Sequence, residues 1–227
     1  MLDCGKYCAP HNEMGVPLCC DINCVIPVAY QDEWNYLHQN TNLWRGWHTE
    51  DTTLAKKINE QIPLGQVPIV CLGHLRCQRD YRSVTCRAFP FFPYITLQGE
   101  FVGLTYYWEY EDTCWVISHL DMMSSRYIFE FVQVFDTIFN QIPEELTTYR
   151  HFSIIMRRVF GRRHRTIPLV HRNGKFYKVT PSNGRMRRVK PESFPTFGPY
   201  RIAADLPFPD ELHHYSQANE QGSENIS

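Results

Sequence analysis

The stretch from Cys71 to Phe91, CLGHLRCQRDYRSVTCRAFPF, contains three cysteines at intervals of six and nine residues. The third of them, Cys86, opens a compact Cys-Arg-Ala-Phe-Pro-Phe sequence. Thiols in such a setting can be buried core residues, disulfide partners, catalytic nucleophiles or metal ligands. The choice matters for the fold, because ligands that converge on a metal tie distant segments of a chain together.

The cysteines of the whole chain are concentrated in its first half. The 227 residues include nine cysteines, of which Cys114 is the last. The first residues lack a basic segment followed by an apolar run, and no stretch reaches the roughly 18 apolar residues of a membrane span. We therefore expect a soluble protein of the reducing cytoplasm, where structural disulfides are rare. An odd number of cysteines would also leave one unpaired.

Metal coordination is the leading interpretation of these thiols. Free buried cysteines behave as small apolar residues and are scattered through a core, whereas metal ligands must cluster. A set of unrelated reduced thiols stays open as the alternative, because neither Cys4-x3-Cys8 nor Cys19-Cys20 is the Cys-x2-Cys pair of a zinc ribbon.

Three groups of residues carry a resemblance to a known family. They are Cys4-x3-Cys8 with Cys19-Cys20, then the run Cys77-x3-Tyr81-Arg82-x3-Cys86-Arg87-x-Phe89-Pro90-Phe91 that follows Cys71, and finally Cys114. Over about residues 1–120 the chain resembles the YkgJ-type cysteine-cluster family. Its members are described as zinc- or iron-chelating or iron–sulfur proteins, and flagellin lysine N-methylases are similar to them. The chain departs from the family where residues 9–18 spread the N-terminal cysteines apart, where Ser83 replaces a common proline, and at Cys24, which has no counterpart.

We expect eight cysteines to supply the metal ligands. The first candidates are Cys4, Cys8, Cys20, Cys77 and Cys86, followed by Cys19, Cys71 and Cys114. His74 is an alternative ligand, since it lies between two of these cysteines. Four cysteine ligands are typical both of structural zinc and of [4Fe–4S] centres, so the residues leave the metal open. The resemblance favours an iron–sulfur cluster of the [4Fe–4S] type, with Zn²⁺ as the alternative.

Two neighbours of Cys86 suit a thiolate site. The guanidinium of Arg87 can donate hydrogen bonds to sulfur or to the backbone beside a negatively charged centre, although a surface arginine is the alternative. The Phe89–Pro93 run can form a dry wall beside the centre. It can equally be a core segment that enters a strand, and the two interpretations are compatible.

The remaining patterns predict an α+β fold. A cysteine-rich half with short helices and a β-hairpin precedes a helical pair and a C-terminal β-hairpin region. Apolar periodicity and capping residues predict helices over 26–43, from Thr49 or Thr52 to about Gln61, from Ser124 or Ser125 to about Asn140, and from Pro143 to about Gly161. Hairpin turns are expected at Gln98-Gly99, Asn173-Gly174 and Asn183-Gly184.

We expect four segments along the chain. They are a cysteine-cluster metal-binding domain over 1–120, a helical segment packed on it over 121–165, a hairpin extension over 166–214, and a disordered polar tail over 215–227.

Charge gives little indication of a partner. The chain has 23 Lys and Arg against 24 Asp and Glu, so the whole protein has no basic character that would attract nucleic acid. The local run from Arg157 to Arg165 could meet an anionic partner, but a solvated helix end is the preferred interpretation. We therefore expect no nucleic-acid interface.

The sequence lacks the familiar nucleotide-binding and nucleophile motifs. The Cys-x3-Cys-x2-Cys motif of radical enzymes is also absent. Two classes of function therefore compete. The chain is either a metalloprotein with redox or transfer chemistry, or a structural zinc-binding protein without catalytic activity.

Overall fold

A computed structural model gives the structure of residues 4–63 and 65–201. Helices and strands are mixed and the strands form two sheets, which confirms the predicted α+β class. The helices are α1 (Gly5–Cys8), α2 (Gln31–Asn40), α3 (Thr52–Gln61), α4 (Val84–Ala88), α5 (Trp115–Ser118), α6 (Ser125–Gln141) and α7 (Pro143–Arg162). The strands are β1 (Val28–Tyr30), β2 (Trp44–Gly46), β3 (Gln66–Cys71), β4 (Phe91–Ile95), β5 (Phe101–Tyr106), β6 (Ile167–His171), β7 (Phe176–Val179) and β8 (Met186–Val189).

The larger sheet is a five-stranded antiparallel meander in the order β4-β5-β6-β7-β8. All three predicted hairpins belong to it, and they connect β4 to β5, β6 to β7 and β7 to β8. Strand β5 pairs with β6 far along the chain, so one sheet spans the segments over 1–120 and 166–214. Gly103 permits this pairing, because its φ is +152° and a Cβ atom there would lie 2.3 Å from the Val170 carbonyl oxygen.

Strands β4 and β5 are buried along their whole length. Strand β4 alternates between two cores, since Phe91 and Ile95 join one apolar cluster while Phe92 and Tyr94 join another. Residues of α6 pack in the first cluster, and Met156 and Phe160 of α7 pack in the second. The helical pair therefore encloses the sheet, which explains why these strands read as continuous apolar runs.

The smaller sheet is antiparallel in the order β1-β3-β2. It was not predicted, and it corrects the helix expected over 26–43. Val28–Tyr30 pair with β3 instead, and the helix α2 begins only at Gln31. It ends at Asn40, because the next residues turn so that Leu43 is buried beside Ala29 and Ile69.

The other helix predictions agree with the structure to within one or two residues. Helix α3 begins after Asp51, whose carboxylate accepts from the amides of Thr53 and Leu54, and α6 begins after Ser124, which accepts from the amide of Tyr127. Within the described part of the chain, none of the helices combines the length and apolar character needed to cross a bilayer. The tail predicted over 215–227 lies outside the described residues.

Candidate metal centre

The thiols of five predicted ligands line a single cavity. Its volume is about 360 Å³, and it lies between the N-terminal segment and the 71–89 segment. The five are Cys4, Cys19, Cys20, Cys77 and Cys86. We call this space the thiol cavity. Arg79, Arg82, Arg87 and His74 also contribute to its wall.

Cys86 is positioned by the short helix α4. Ser83, which is fully buried, caps the helix by accepting a hydrogen bond from the Cys86 amide at 3.1 Å. Glu33 of α2 accepts from the Val84 amide at 2.6 Å, and its other oxygen accepts from the Tyr30 amide at 3.3 Å. Burial raises the pKa of Glu33, while these two amide donors oppose the rise. The smaller sheet and α2 therefore fix the position of Cys86.

Two side-chain hydrogen bonds hold the loop that carries Cys77 in place. The indole of Trp44 in β2 donates to the Tyr81 carbonyl at 2.6 Å. The Arg82 Nε atom donates to Cys77 Sγ at 3.1 Å. Burial alone would lower the pKa of Arg82, but the hydrogen bond to Cys77 and the negative charge of nearby thiolates raise it. This loop thus contains a cation that stabilises a thiolate directly.

Arg87 supports the same loop through its backbone. It donates to the carbonyl oxygens of Arg82, Arg79 and Asp80 at 2.9–3.1 Å. The sequence suggested that Arg87 donates hydrogen bonds either to sulfur or to the backbone. The structure shows that Arg87 donates to the backbone, whereas Arg82 donates to sulfur. Sequence reasoning missed Arg82, Ser83 and Glu33 as positioning residues, although a serine three residues before Cys86 is a recognisable helix-capping signal.

Packing against the core holds the N-terminal segment at the cavity. The ring of Tyr7 stacks on Trp115 with centroids 4.3 Å apart. Cys8 and Leu18 are each 4% exposed and belong to the main apolar cluster. The segment therefore has contacts of its own with the body of the protein, in addition to any link through a metal.

The thiols in the cavity interact with one another. Cys19 and Cys20 place their Sγ atoms 3.9 Å apart. The hydrogen bond with Cys20 raises the pKa of Cys19, followed by burial and by the charges of Cys20, Cys86 and Cys4. The pKa of Cys86 is raised to about 12, first by burial and then by the charges of Cys20, Cys77 and Cys71, against the opposing effect of Arg82. A bound cation reverses this repulsion, because it stabilises the thiolates.

The other predicted ligands lie outside the wall of the cavity. Burial raises the pKa of Cys71, and so do the charges of Cys20 and Cys77, which shows that Cys71 is within electrostatic range of the cavity thiols. Cys8 and Cys114 are buried in the main apolar cluster. The pKa of Cys114 is raised by burial and then by the charges of Cys4 and Cys8. Cys8 and Cys114 are therefore near Cys4, on the side of the thiol cavity that faces the apolar core.

The five cysteines line the cavity, but their side chains do not converge on one point. Among residues 4–63 and 65–201, no three His, Cys, Asp or Glu side chains are arranged so that they could hold a metal ion. Among the described residues, none of the nine cysteines is part of a disulfide. Cys24, which has no counterpart in the resemblance, is exposed and contributes to a different cavity.

Two histidines near the cysteines have different surroundings. His74 lies at the thiol cavity, as its place between Cys71 and Cys77 predicted. His119 instead stacks on Trp115, with ring centroids 4.1 Å apart.

The chain has been compared with protein-family models, curated proteins and solved structures, and none of them matches it.

Proposed function

We propose that this chain is a metal-binding cysteine-cluster protein whose centre forms in the thiol cavity. The observation that supports this most strongly is that five thiols, from segments more than 50 residues apart in sequence, line one cavity together with the cation Arg82. Unrelated reduced thiols behave as small apolar residues and would be scattered through the core, with no reason to gather at one cavity. The resemblance to the YkgJ-type family points to the same chemistry.

Within this proposal we favour an iron–sulfur cluster of the [4Fe–4S] type, as the resemblance to the YkgJ-type family suggests. The thiol cavity, with a volume of about 360 Å³, has room for a centre of several atoms. The cavity also offers more thiols than the four that such a cluster requires. The cluster would be held by ligands drawn from the five cavity cysteines, and it would supply electron transfer or a Lewis-acidic iron.

Zinc is a second candidate, favoured by one distance. Two thiolates bound to tetrahedral zinc at about 2.3 Å are about 3.8 Å apart, and the Sγ atoms of Cys19 and Cys20 are 3.9 Å apart. A zinc site here would be structural, because four cysteine ligands leave no open position for substrate. The two candidates therefore separate a redox or transfer protein from a non-catalytic one.

The compartment follows from the same chemistry. We propose the cytoplasm, because a reducing compartment keeps cysteines out of disulfides, and none of the nine described cysteines is part of one. A metal centre there would also protect the thiols from oxidation.

Nucleic-acid binding does not belong to this proposal. Two arginines of the basic run are used inside the protein, since Arg157 is buried and donates to the Ile95 carbonyl at 2.8 Å, and Arg165 pairs with Glu111. The expectation of no nucleic-acid interface stays a prediction.

A cysteine scan tests the proposed ligands. Cys77→Ser and Cys86→Ser remove thiols from the cavity, and we expect each variant to lose most of the metal that copurifies with the full chain. Cys24→Ser is the matched control, because Cys24 is exposed and outside the cavity, and it should keep the wild-type metal content. Metal per chain is measured by elemental analysis of anaerobically purified protein. Equal metal content in all three variants would place the ligands elsewhere.

A further inference from the structure

A second, larger cavity lies between the smaller sheet, α3 and α7. Its volume is about 660 Å³, and exposed His48 and Gln61 on its wall open it to solvent. Buried Glu145 and the aromatic side chains of Tyr107 and Tyr149 form its inner end. We call it the Glu145 cavity. The cysteine chemistry discussed above makes no use of it.

Glu145 is a buried carboxylate with neutral partners. It is 4% exposed, and its oxygens accept hydrogen bonds from Tyr30 Oη and Gln66 Nε2, both at 3.0 Å. Within the described residues, no Lys, Arg or His nitrogen is close enough to form an ion pair with it. Its place in the first turn of α7 offers partial compensation from the helix dipole. A buried charge ordinarily requires a counter-charge as well.

The charge of Glu145 contributes to the raised pKa values of the tyrosines around it. Burial raises the pKa of Tyr30, and the carboxylate of Glu145 is the next cause. Burial also raises the pKa of Tyr107 and of Tyr149, and in both cases the charge of Glu145 contributes. The carboxylate and these rings are therefore close neighbours at the end of a solvent-open cavity. Aromatic rings attract organic ammonium groups through the negative charge of their faces, and a neighbouring carboxylate adds an opposite charge.

We propose that the Glu145 cavity binds an organic cation, a primary or alkylated ammonium group, with Glu145 as its counter-ion. A metal cation fits less well, because hard divalent ions require several oxygen ligands, and among the described residues Glu145 is the one carboxylate on this wall. A neutral ligand would leave the buried charge uncompensated. The ammonium group supplies the missing charge, and its alkyl part suits the apolar and aromatic wall.

The Glu145 cavity adjoins the thiol cavity. A smaller cavity of about 260 Å³ shares Thr85, Tyr107 and Tyr149 with the Glu145 cavity, and it reaches Cys19 and Cys86. The cation site nevertheless depends on Glu145 and not on a metal. Ligand binding and metal content therefore test the two proposals separately.

Choline and its neutral isostere 3,3-dimethylbutan-1-ol distinguish charge recognition from simple filling of the cavity. We expect the full chain to bind choline saturably and the alcohol at least about tenfold more weakly, because the neutral alcohol lacks the charge that Glu145 and the aromatic rings attract. Glu145→Gln should weaken choline binding by about tenfold or more. Glu144→Gln is the control, because this neighbouring carboxylate is exposed, and it should leave the affinity within about twofold. Titration calorimetry measures all of these affinities.

A second variant covers the case in which Glu145→Gln fails to fold. Thr148 lies on the cavity wall one turn along α7, so Thr148→Trp fills the space and keeps the carboxylate. This variant should abolish choline binding while circular dichroism stays native. Equal binding of choline and the alcohol, or no saturable choline binding up to about 10 mM, would overturn the proposal. Unchanged affinity in a folded Glu145→Gln or Thr148→Trp protein would do so as well.

Discussion

Removal of the metal is expected to lower the melting temperature of the protein sharply and to expose residues 4–24. Metal binding at a structural thiolate site contributes about 10 kcal/mol or more to folding, which is comparable to the whole stability of a typical domain, roughly 5–15 kcal/mol. The centre would link the segment of Cys4, Cys19 and Cys20 to that of Cys77 and Cys86. Chelation under anaerobic conditions, followed by calorimetry and hydrogen exchange, measures both effects.

Packing of the N-terminal segment against the core limits how much structure is lost when the metal is removed. Tyr7, Cys8 and Leu18 contact the core without any metal, so part of the segment has an independent reason to stay in place. Leu18→Ala is the control, since it should cost about 2–5 kcal/mol through the loss of apolar contacts while the metal content stays constant. A melting temperature that does not change while the metal is lost would make the centre peripheral to folding.

Replacement of Arg165 by methionine is expected to destabilise the protein by about 3 kcal/mol, because it leaves a buried carboxylate without its cation. The two guanidinium nitrogens of Arg165 donate to both oxygens of Glu111 at 2.7 Å, and Tyr106 Oη donates to one of them at 3.0 Å. The Glu111 side chain is 8% exposed. Chemical denaturation measures the loss of unfolding free energy.

Arg172→Met is the matched control. Arg172 pairs with Asp136 at the same distance of 2.7 Å, but the two side chains are 41% and 40% exposed. Surface pairs contribute at most about 1 kcal/mol, so this variant should differ little from the wild-type protein. Equal losses in Arg165→Met and Arg172→Met would show that burial of Glu111 does not determine the effect.

Local signals in the sequence predicted the hairpins of the larger sheet and the helices α6 and α7. The turn residues Gln98-Gly99 and Asn173-Gly174, and the apolar stripe of α6, specify their structures through neighbouring residues alone. Pairing of β5 with β6 could not be predicted in this way, because it joins residues more than 60 positions apart. The same applies to β1, which has only three residues and takes its conformation from β3.

The eight cysteines expected as ligands include the five of the thiol cavity, but the first candidates contained Cys8 in place of Cys19. The sequence gave no means of separating the cavity thiols from Cys8 and Cys114, which are buried in the apolar core. That division depends on packing against Trp115 and its neighbours. Glu145 was missed altogether, because a carboxylate in the first turn of a helix ordinarily interacts with the helix dipole in solvent. Its burial results from the docking of α7 against Tyr30 and Gln66.

The most direct test of the thiol cavity as a metal centre is the visible spectrum and the metal content of the full chain purified without oxygen. The account predicts a brown protein with sulfur-to-iron charge-transfer absorbance, and about four iron and four sulfide per chain. A colourless protein with one zinc per chain would mean that the metal centre exists, but that it is a structural zinc site and not an iron–sulfur cluster. A colourless protein without iron or zinc, with all nine thiols free to react when unfolded, would contradict the account.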